Sequence, residues 1–600
     1  MGLPVVTEVG VQRNDDGTAS FKAALNMPAP TTSDPTTPPV LQKAELKFKD
    51  DSGQAFENKE PLLFLTGGNI LVKNASDSKG SRFEDLVVEF QVGNQVYPGT
   101  ILPDRSRSVG GNQYEVAVQV PNTLPLGASR IVLTRKQNQL VEQNGTTPVY
   151  KPIEYSSNPI RLPQGAEYVF AALGNSDQLA VLNGKNPESV VDTTNSEDLL
   201  LAKIPVGTIG VTDWAESTAV TSDGNRVYAT LRESGQVALV DPMVLRQVDT
   251  QPNTSGVNPI VLPAGAKPKS IAIDPRDEYA YIADRDRGDI YVLDIDPFSA
   301  TYHEVIQTIK VGSNTTDLRN LAISSDGRKL FATASDNYIY AVNIDPKDRP
   351  NKPNSNPRKW HEQIGAIEGA WLPSGQPVGF TGLAATSNPK AMTFTSGNTG
   401  TDGKGYGVLE VTSDDPLNFR ATNRYIDLSL GDFNDYFDVN EGVSVTVMRD
   451  GRYAFVAGRN NRDNIAPYPD PLSGSNIGII KDPLGQNPQL VAATRPIPGG
   501  LTNDLVLSND NKYLFSSYPA PSSVGAVYVF DVEEIIHALD NPDQFTIDEF
   551  DRGYRSFFFD SLTERSVTED DFKRVPIDEI NPAVSIAADY GIIEEDRPAN

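Results

Sequence analysis

Apolar and polar residues alternate with a period of two in short bursts along most of this chain, and the bursts come in threes. In KPKSIAIDPRDEYAYIADRDRGDIYVLDID, residues 267–296, Ile271 and Ile273 alternate with Ala272. A polar turn from Asp274 to Glu278 then leads into Tyr279 to Ala283, and a second, Asp284 to Asp289, into Ile290 to Asp294. β-Branched and aromatic residues at this period, bounded by Asp, Gly and Pro, predict antiparallel hairpins. Such a unit leaves a sheet face uncovered, so it should stack on copies of itself. Residues 217–241 and 320–345 repeat the order of strand, Asp-Gly turn, strand, short turn, strand. A fourth copy begins at Ser444 and takes its third strand from Ser475 to Ile480; a fifth begins at Asn503 and ends in Ala526 to Asp531. The turn positions Asp223, Arg276, Asp326, Asp450 and Asp510 fall 53, 50, 124 and 60 residues apart. The wide gap predicts one more unit, which Pro389 to Phe394 and Tyr406 to Glu410 fill in degraded form.

Repeats of this length, each a four-stranded sheet, predict a β-propeller. YIADRDRGDIYVLDID and VYATLRESGQVALVD resemble the YVTN family of propeller repeats, with the closing aspartates Asp241, Asp294, Asp345 and Asp531 retained and Asp284 standing at the family's Asn position. The resemblance covers roughly residues 165–535 and implies an architecture rather than an activity. Glu167 to Ala172 and Leu179 to Leu182 read as the second and third strands of a blade that lacks its first. Asn581 to Asp589 matches a first strand, by comparison with Leu321 to Asp326, with nothing strand-like after it. The C-terminal strand is therefore predicted to complete the N-terminal blade and close the ring. The expected fold is all-β: a seven-bladed propeller over residues 161–600, closed by a C-terminal strand and preceded by an immunoglobulin-like β-sandwich.

The sandwich is predicted in residues 1–160. Val5 to Asn26 reads as a strand pair around Asp15-Asp16-Gly17, and Pro28 to Pro39 as an extended, mobile linker. Strands follow at Gly67 to Val72, Leu86 to Phe90, Tyr114 to Val120 and Arg130 to Thr134, with turns about every ten residues. The Gly67-Gly68 lead, Val120-Pro121 after an alternating strand, and Leu126-Gly127 before the last strand resemble the IPT/TIG type of immunoglobulin-like domain, the alternative being an unclassified β-sandwich. Two long interruptions are expected in the propeller. Residues 347–379, rich in Pro, Asn and Lys, should decorate one face. Residues 532–580 are acidic, with helical spacing at Glu533 to Leu539 and Glu569 to Arg574 and an N-cap pattern at Ser566 to Glu569. They should form a cap on the rim or a docking surface.

Composition narrows the function classes. A formal charge of −27 argues against a nucleic-acid partner and against an anionic membrane surface. With no cysteine, disulfides, thiolate metal sites and cysteine nucleophiles are excluded. No apolar run is long enough to span a bilayer, and MGLPVVTEVG has neither a basic nor an apolar leader region, so the chain reads as a piece of a larger precursor or a cytosolic protein. The three histidines, at 303, 361 and 537, stand apart in sequence, which disfavours haem, copper and histidine-bound metal classes. No nucleophile elbow, P-loop or His-Glu-x-x-His occurs.

Two clusters carry candidate chemistry. GDFNDYFDVNEG, residues 431–442, offers Asp432, Asn434, Asp435, Asp438, Asn440 and Glu441, hard oxygen ligands at a density that suits Ca²⁺ though not at EF-hand spacing; the alternative is a solvated turn between blades. Arg287-Gly288-Asp289 is the tripeptide of integrin ligands, but Gly and Asp belong in a hairpin turn in any case. The sequence thus leads to a non-enzymatic recognition or adhesion module, secreted or at a cell surface, presenting propeller loops to a protein or glycan. A Ca²⁺-dependent lactonase or polysaccharide lyase working in the central channel, and an intracellular scaffold, are the alternatives. No cofactor beyond Ca²⁺ is expected.

Overall fold

In a computed structural model the chain falls into two compact units, residues 1–167 with 240–248, and the remainder. The structure describes residues between 6 and 589, with its larger gaps at 26–35, 184–199, 427–441, 459–473 and 557–572.

In the N-terminal unit the strand pair Val6–Arg13 and Ala19–Leu25 is continued by Val40–Lys47, Leu62–Gly68 and Gln113–Gln119. Gln95–Ile101 pairs both with this sheet and with Leu86–Val92, which leads on to Arg130–Asn144 and Thr147–Ser156. Leu86–Val92 alternates, with Val88 and Phe90 fully buried, while its neighbours are buried on both faces in their middles, with Leu63, Leu65, Val116, Ala117, Val118, Ile131 and Leu133 all fully buried. Two expectations shift. Gly67 and Gly68 end a strand begun at Leu62 instead of opening one, and Asn69 to Leu71 form a bend. The end of the expected mobile linker is pinned, because the Thr37 carbonyl accepts from Asn69 Nδ2 (2.6 Å) and from the buried Arg135 guanidinium (2.9 Å).

The second unit is the seven-bladed propeller. Its first blade joins Tyr168–Leu173, Gln178–Asn183 and Leu200–Pro205 to the C-terminal strand Ala583–Asp589, which pairs with Tyr168–Leu173 from Tyr168 opposite Asp589 to Leu173 opposite Ala583. The inner strands of blades two to seven are Ala215–Val220, Pro268–Ile273, Leu318–Ile323, Phe380–Ala385, Gly442–Val447 and Asp504–Leu507. Neighbouring blades cover both faces of each sheet, so the second and third strands read as continuous apolar runs. Lys329–Ala334 and Tyr453–Gly458 are buried at every position, whereas the outer strand Val305–Lys310 alternates. Between blades three and four, Tyr281, Ile290, Val292 and Ile309 pack on Leu321, Leu330, Tyr340 and Val342.

Both expected interruptions contain a blade's outer strand. Glu362–Glu368 completes blade four and Lys573–Asp578 completes blade seven. The helix Val532–Asp540 covers the predicted Glu533 to Leu539, while Lys573 and Arg574 lie in strand, not helix; the predicted N-cap at Ser566 lies outside the described residues. Arg349 docks the first interruption on blade three, bonding Glu278 Oε2 at 2.5 Å and lying over the rings of Tyr279 and Trp360.

Two of the histidines occupy one repeated position. His303 and His361 each lie within two residues of the start of an outer strand, adopt a left-handed backbone (φ 65° and 54°) and stack on the preceding aromatic, Tyr302 at 3.6 Å and Trp360 at 3.5 Å. Each presents Nε2 to a buried tyrosine on the second strand of the preceding blade, Tyr228 at 3.3 Å and Tyr281 at 3.0 Å. Burial lowers both imidazoles to about 3 and raises both phenols, so the hydroxyl donates to a neutral ring.

Gly288, in the Arg-Gly-Asp turn, has φ +63°, and a methyl group there would sit 2.4 Å from the Val311 carbonyl and 2.5 Å from that of Ser313. Gly288→Ala is expected to destabilise the propeller by about 1–3 kcal/mol, read as a lower denaturant midpoint. An unchanged midpoint would show that the turn relaxes freely.

Candidate functional site

The inner strands of blades two to six each carry an irregularity near the start, where the strand has a residue with no partner opposite. Pairing skips from Ala215 to Ser217, Pro268 to Ser270, Leu318 to Asn320 and Gly442 to Ser444, so Glu216, Lys269, Arg319 and Val443 are bulged out of register; in blade five Thr381 and Gly382 are skipped together. In three blades a threonine on the second strand satisfies the amide that the bulge displaces. Thr230 Oγ1 accepts from Ser217 N, Thr333 Oγ1 from Asn320 N and Thr395 Oγ1 from Gly382 N, at 2.8–3.0 Å. The backbone is therefore held whatever side chain the bulge carries.

These residues line a cavity of about 420 Å³ at the entrance of the central channel, with Glu216, Lys269, Ser270, Arg319, Asn320 and Asp504 as its main polar groups. Ser270 and Ser444 tie inner strands to their neighbours: Leu321 N donates to Ser270 Oγ (3.2 Å), Leu505 N to Ser444 Oγ (3.2 Å), and Ser444 Oγ donates to Asp504 Oδ1 (2.9 Å).

Charge is unevenly distributed round the wall. Blades two, three and four carry Glu216, Lys269 and Arg319; blades five, six and seven carry Thr381, Val443 and Asn503 at the matching places. The Glu216 side chain, 6% exposed, is held between Lys269 Nζ on Oε1 and Arg232 Nη1 on Oε2 at 2.9 Å. Arg232 also bonds Glu233 and lies over the Trp214 ring, 4.6 Å from its centroid. Lys267 completes the row on Glu233 at 2.9 Å and, with Arg232, holds that carboxyl below its ordinary range. Arg319 reaches Asp317 at 3.3 Å and is 41% exposed.

The residues singled out from sequence lie elsewhere. Arg287 donates to the Ala264 carbonyl at 3.2 Å, and Asp289, 4% exposed, is paired with Lys310, so the acid of the tripeptide is turned into the blade. Asp432, Asn434, Asp435, Asp438, Asn440 and Glu441 lie outside the described residues. Among the described residues no group of three or more His, Asp or Glu is placed to hold a metal ion, and no helix is long and apolar enough to cross a membrane. Strict alternation starts just after the bulge residues, which hides them in the sequence. A signal does exist: Glu-Ser-Thr, Lys-Ser-Ile, Arg-Asn-Leu and Val-Ser-Val, at 216, 269, 319 and 443, place a variable residue before a small polar one in each repeat.

No protein-family model matches the sequence, nor does any curated protein. Solved structures similar to it include two candidate 6-phosphogluconolactonases. One, from Bacteroides fragilis, is 15% identical over 70% of this chain and 98% of that one, with a TM-score of 0.43. The other, from Bacteroides uniformis, is 16% identical over 60% and 92%, with a TM-score of 0.41. Kuenenia stuttgartiensis hydrazine synthase is 17% identical over 56% and 82%, with a TM-score of 0.40. Likenesses this distant carry nothing about chemistry.

Proposed function

We propose that this chain is a non-enzymatic recognition module, secreted or displayed at a cell surface, that takes a polar ligand, above all a glycan, at the mouth of the propeller channel. The repeats are read as divergent YVTN units and the N-terminal unit as an immunoglobulin-like spacer. One observation carries the reading: the carboxylates at the described channel mouth are each tied into the frame, Glu216 between Lys269 and Arg232, and Asp504 Oδ1 by the Ser444 hydroxyl and the Leu505 amide. Carboxylate oxygens already engaged by fixed donors have little left to offer a reacting group, whereas fixed donors and acceptors in a polar cavity suit sugar hydroxyls.

A test is a glycan array probed with the intact chain and with Asn320→Trp, whose indole would fill the mouth, alongside assays for lactone hydrolysis and uronate elimination. The expected result is glycan binding that the tryptophan abolishes, with no turnover. Turnover by the wild type would move the assignment to a channel enzyme, and binding indifferent to the tryptophan would move it off the channel.

A further inference from the structure

We propose that the channel mouth binds a carboxylate group of its ligand through Lys269 and Arg319, which makes the preferred ligand an acidic, uronate-type sugar; the inference rests on the reading of the mouth as a ligand site. Three features of the wall lead to it. The charges at the bulge positions are not required for folding, because blades five and six build the same irregularity with Thr381 and Val443. Nor do the acids beside the two cations use up all of their donors. Among the described residues the Lys269 ammonium, with three hydrogens, bonds Glu216 alone, and the Arg319 guanidinium, with five, reaches Asp317 at 3.3 Å.

Exposure then separates the signs. The Glu216 carboxylate is 6% exposed beneath its two cations, whereas Lys269 and Arg319 are 32% and 41% exposed on neighbouring blades of the same cavity. Glu216 thus acts from behind, as the anchor that fixes where the ammonium points. An incoming group meets two cationic donors flanked by the hydroxyl of Ser270 and the amide of Asn320. Lys269 and Arg319 each keep an acid, Glu216 and Asp317, beside them. A monoanion gains the two charge-assisted hydrogen bonds, while the second charge of a phosphate dianion is attracted and repelled together and costs more hydration to bring in. The planar guanidinium matches the two oxygens of a carboxylate.

Calorimetric titration of the full chain with trigalacturonate and with its methyl ester tests this, with acetate and inorganic phosphate as competitors. The acid is expected to bind at least about tenfold more tightly than the ester. Lys269→Gln and Arg319→Gln should each remove about tenfold of the acid's affinity and take less from the ester's, so that the preference for the acid narrows, with a cooperative unfolding transition showing that each variant is folded. Acetate should compete better than phosphate. An ester bound as tightly as the acid, variants that keep the acid's affinity, or phosphate outcompeting acetate would each overturn the inference. If neither sugar binds, the glycan reading fails on its own account, and ¹⁹F line broadening of trifluoroacetate decides the carboxylate site. Broadening by the wild type that is lost in the Lys269→Gln/Arg319→Gln double variant supports the site; broadening that is absent, or unchanged in the variant, refutes it.

Discussion

A chain ending at residue 582 is expected to lose the cooperative unfolding transition of its propeller, because the ring is closed by backbone pairing between the two ends of that unit. Tyr168–Leu173 hydrogen-bonds Ala583–Asp589 on one side and Gln178–Asn183 on the other. Without the last strand, the amides and carbonyls of Tyr168–Leu173 on that side become an open edge along a strand buried at all six positions. Val169, Phe170, Ala171 and Leu173, each at 0% exposure, would face water where the inner strand had been. Exposing even three such side chains forfeits about 5–9 kcal/mol at about 1.5–3 kcal/mol apiece, comparable to the whole stability margin of a folded domain. The measurement is the guanidinium unfolding curve, with limited proteolysis as a second readout. Ala587→Pro, in the closing strand opposite Phe170, should reproduce part of the loss, and a peptide of residues 581–592 added in trans should restore part of the transition. A truncated chain with the wild-type midpoint would mean that the ring holds without its closing strand.

That closure was legible because it depends on pattern alone. Val584-Ser585-Ile586 alternates as Leu321-Ala322-Ile323 does, and the first blade visibly lacked an inner strand. The outer strands of blades four and seven were not legible, for a reason that lies in burial. An outer strand packs on one face only, so Glu362–Glu368, with a single buried position, shows almost no hydrophobic run and sits behind a Pro- and Asn-rich loop. Lys573–Asp578, which reads KRVPID, follows an acidic stretch and is equally disguised. The site was hidden by the opposite effect. A bulge breaks the alternation at the residue that enters the channel, so a search by period two trims Glu216, Arg319 and Val443 from the repeats. The histidines looked solitary because position within a blade, not distance along the chain, is what His303 and His361 share.

That shared position yields the second large effect. The stability of the propeller is expected to fall between pH 6.5 and 3 by about 1.4 kcal/mol per pH unit for each of His303 and His361 at full weight, somewhat less after allowance for partial solvent access. Both imidazoles are lowered from 6.5 to about 3 by burial first; the cation of Arg226 beside His303 and of Arg349 beside His361 adds to it. A histidine depressed in the folded state is unprotonated there while its unfolded counterpart takes up a proton, so acid draws the equilibrium toward the unfolded chain. The contribution is therefore complete above pH 6.5 and is lost as the pH drops toward 3. Protonation of Nε2 would also turn an acceptor for the Tyr228 or Tyr281 hydroxyl into a donor, against tyrosines whose burial keeps them neutral. Carboxylates produce an acid-dependent loss of their own, so the discriminating comparison is with His303→Gln/His361→Gln. That variant should be less stable than the wild type at pH 8, by about 1–3 kcal/mol for each lost contact, yet lose clearly less stability on going to pH 4.5. The two guanidinium curves should accordingly converge in acid. Parallel losses in both proteins would mean that the imidazoles are already protonated in the folded ring, and that the tyrosines accept from them.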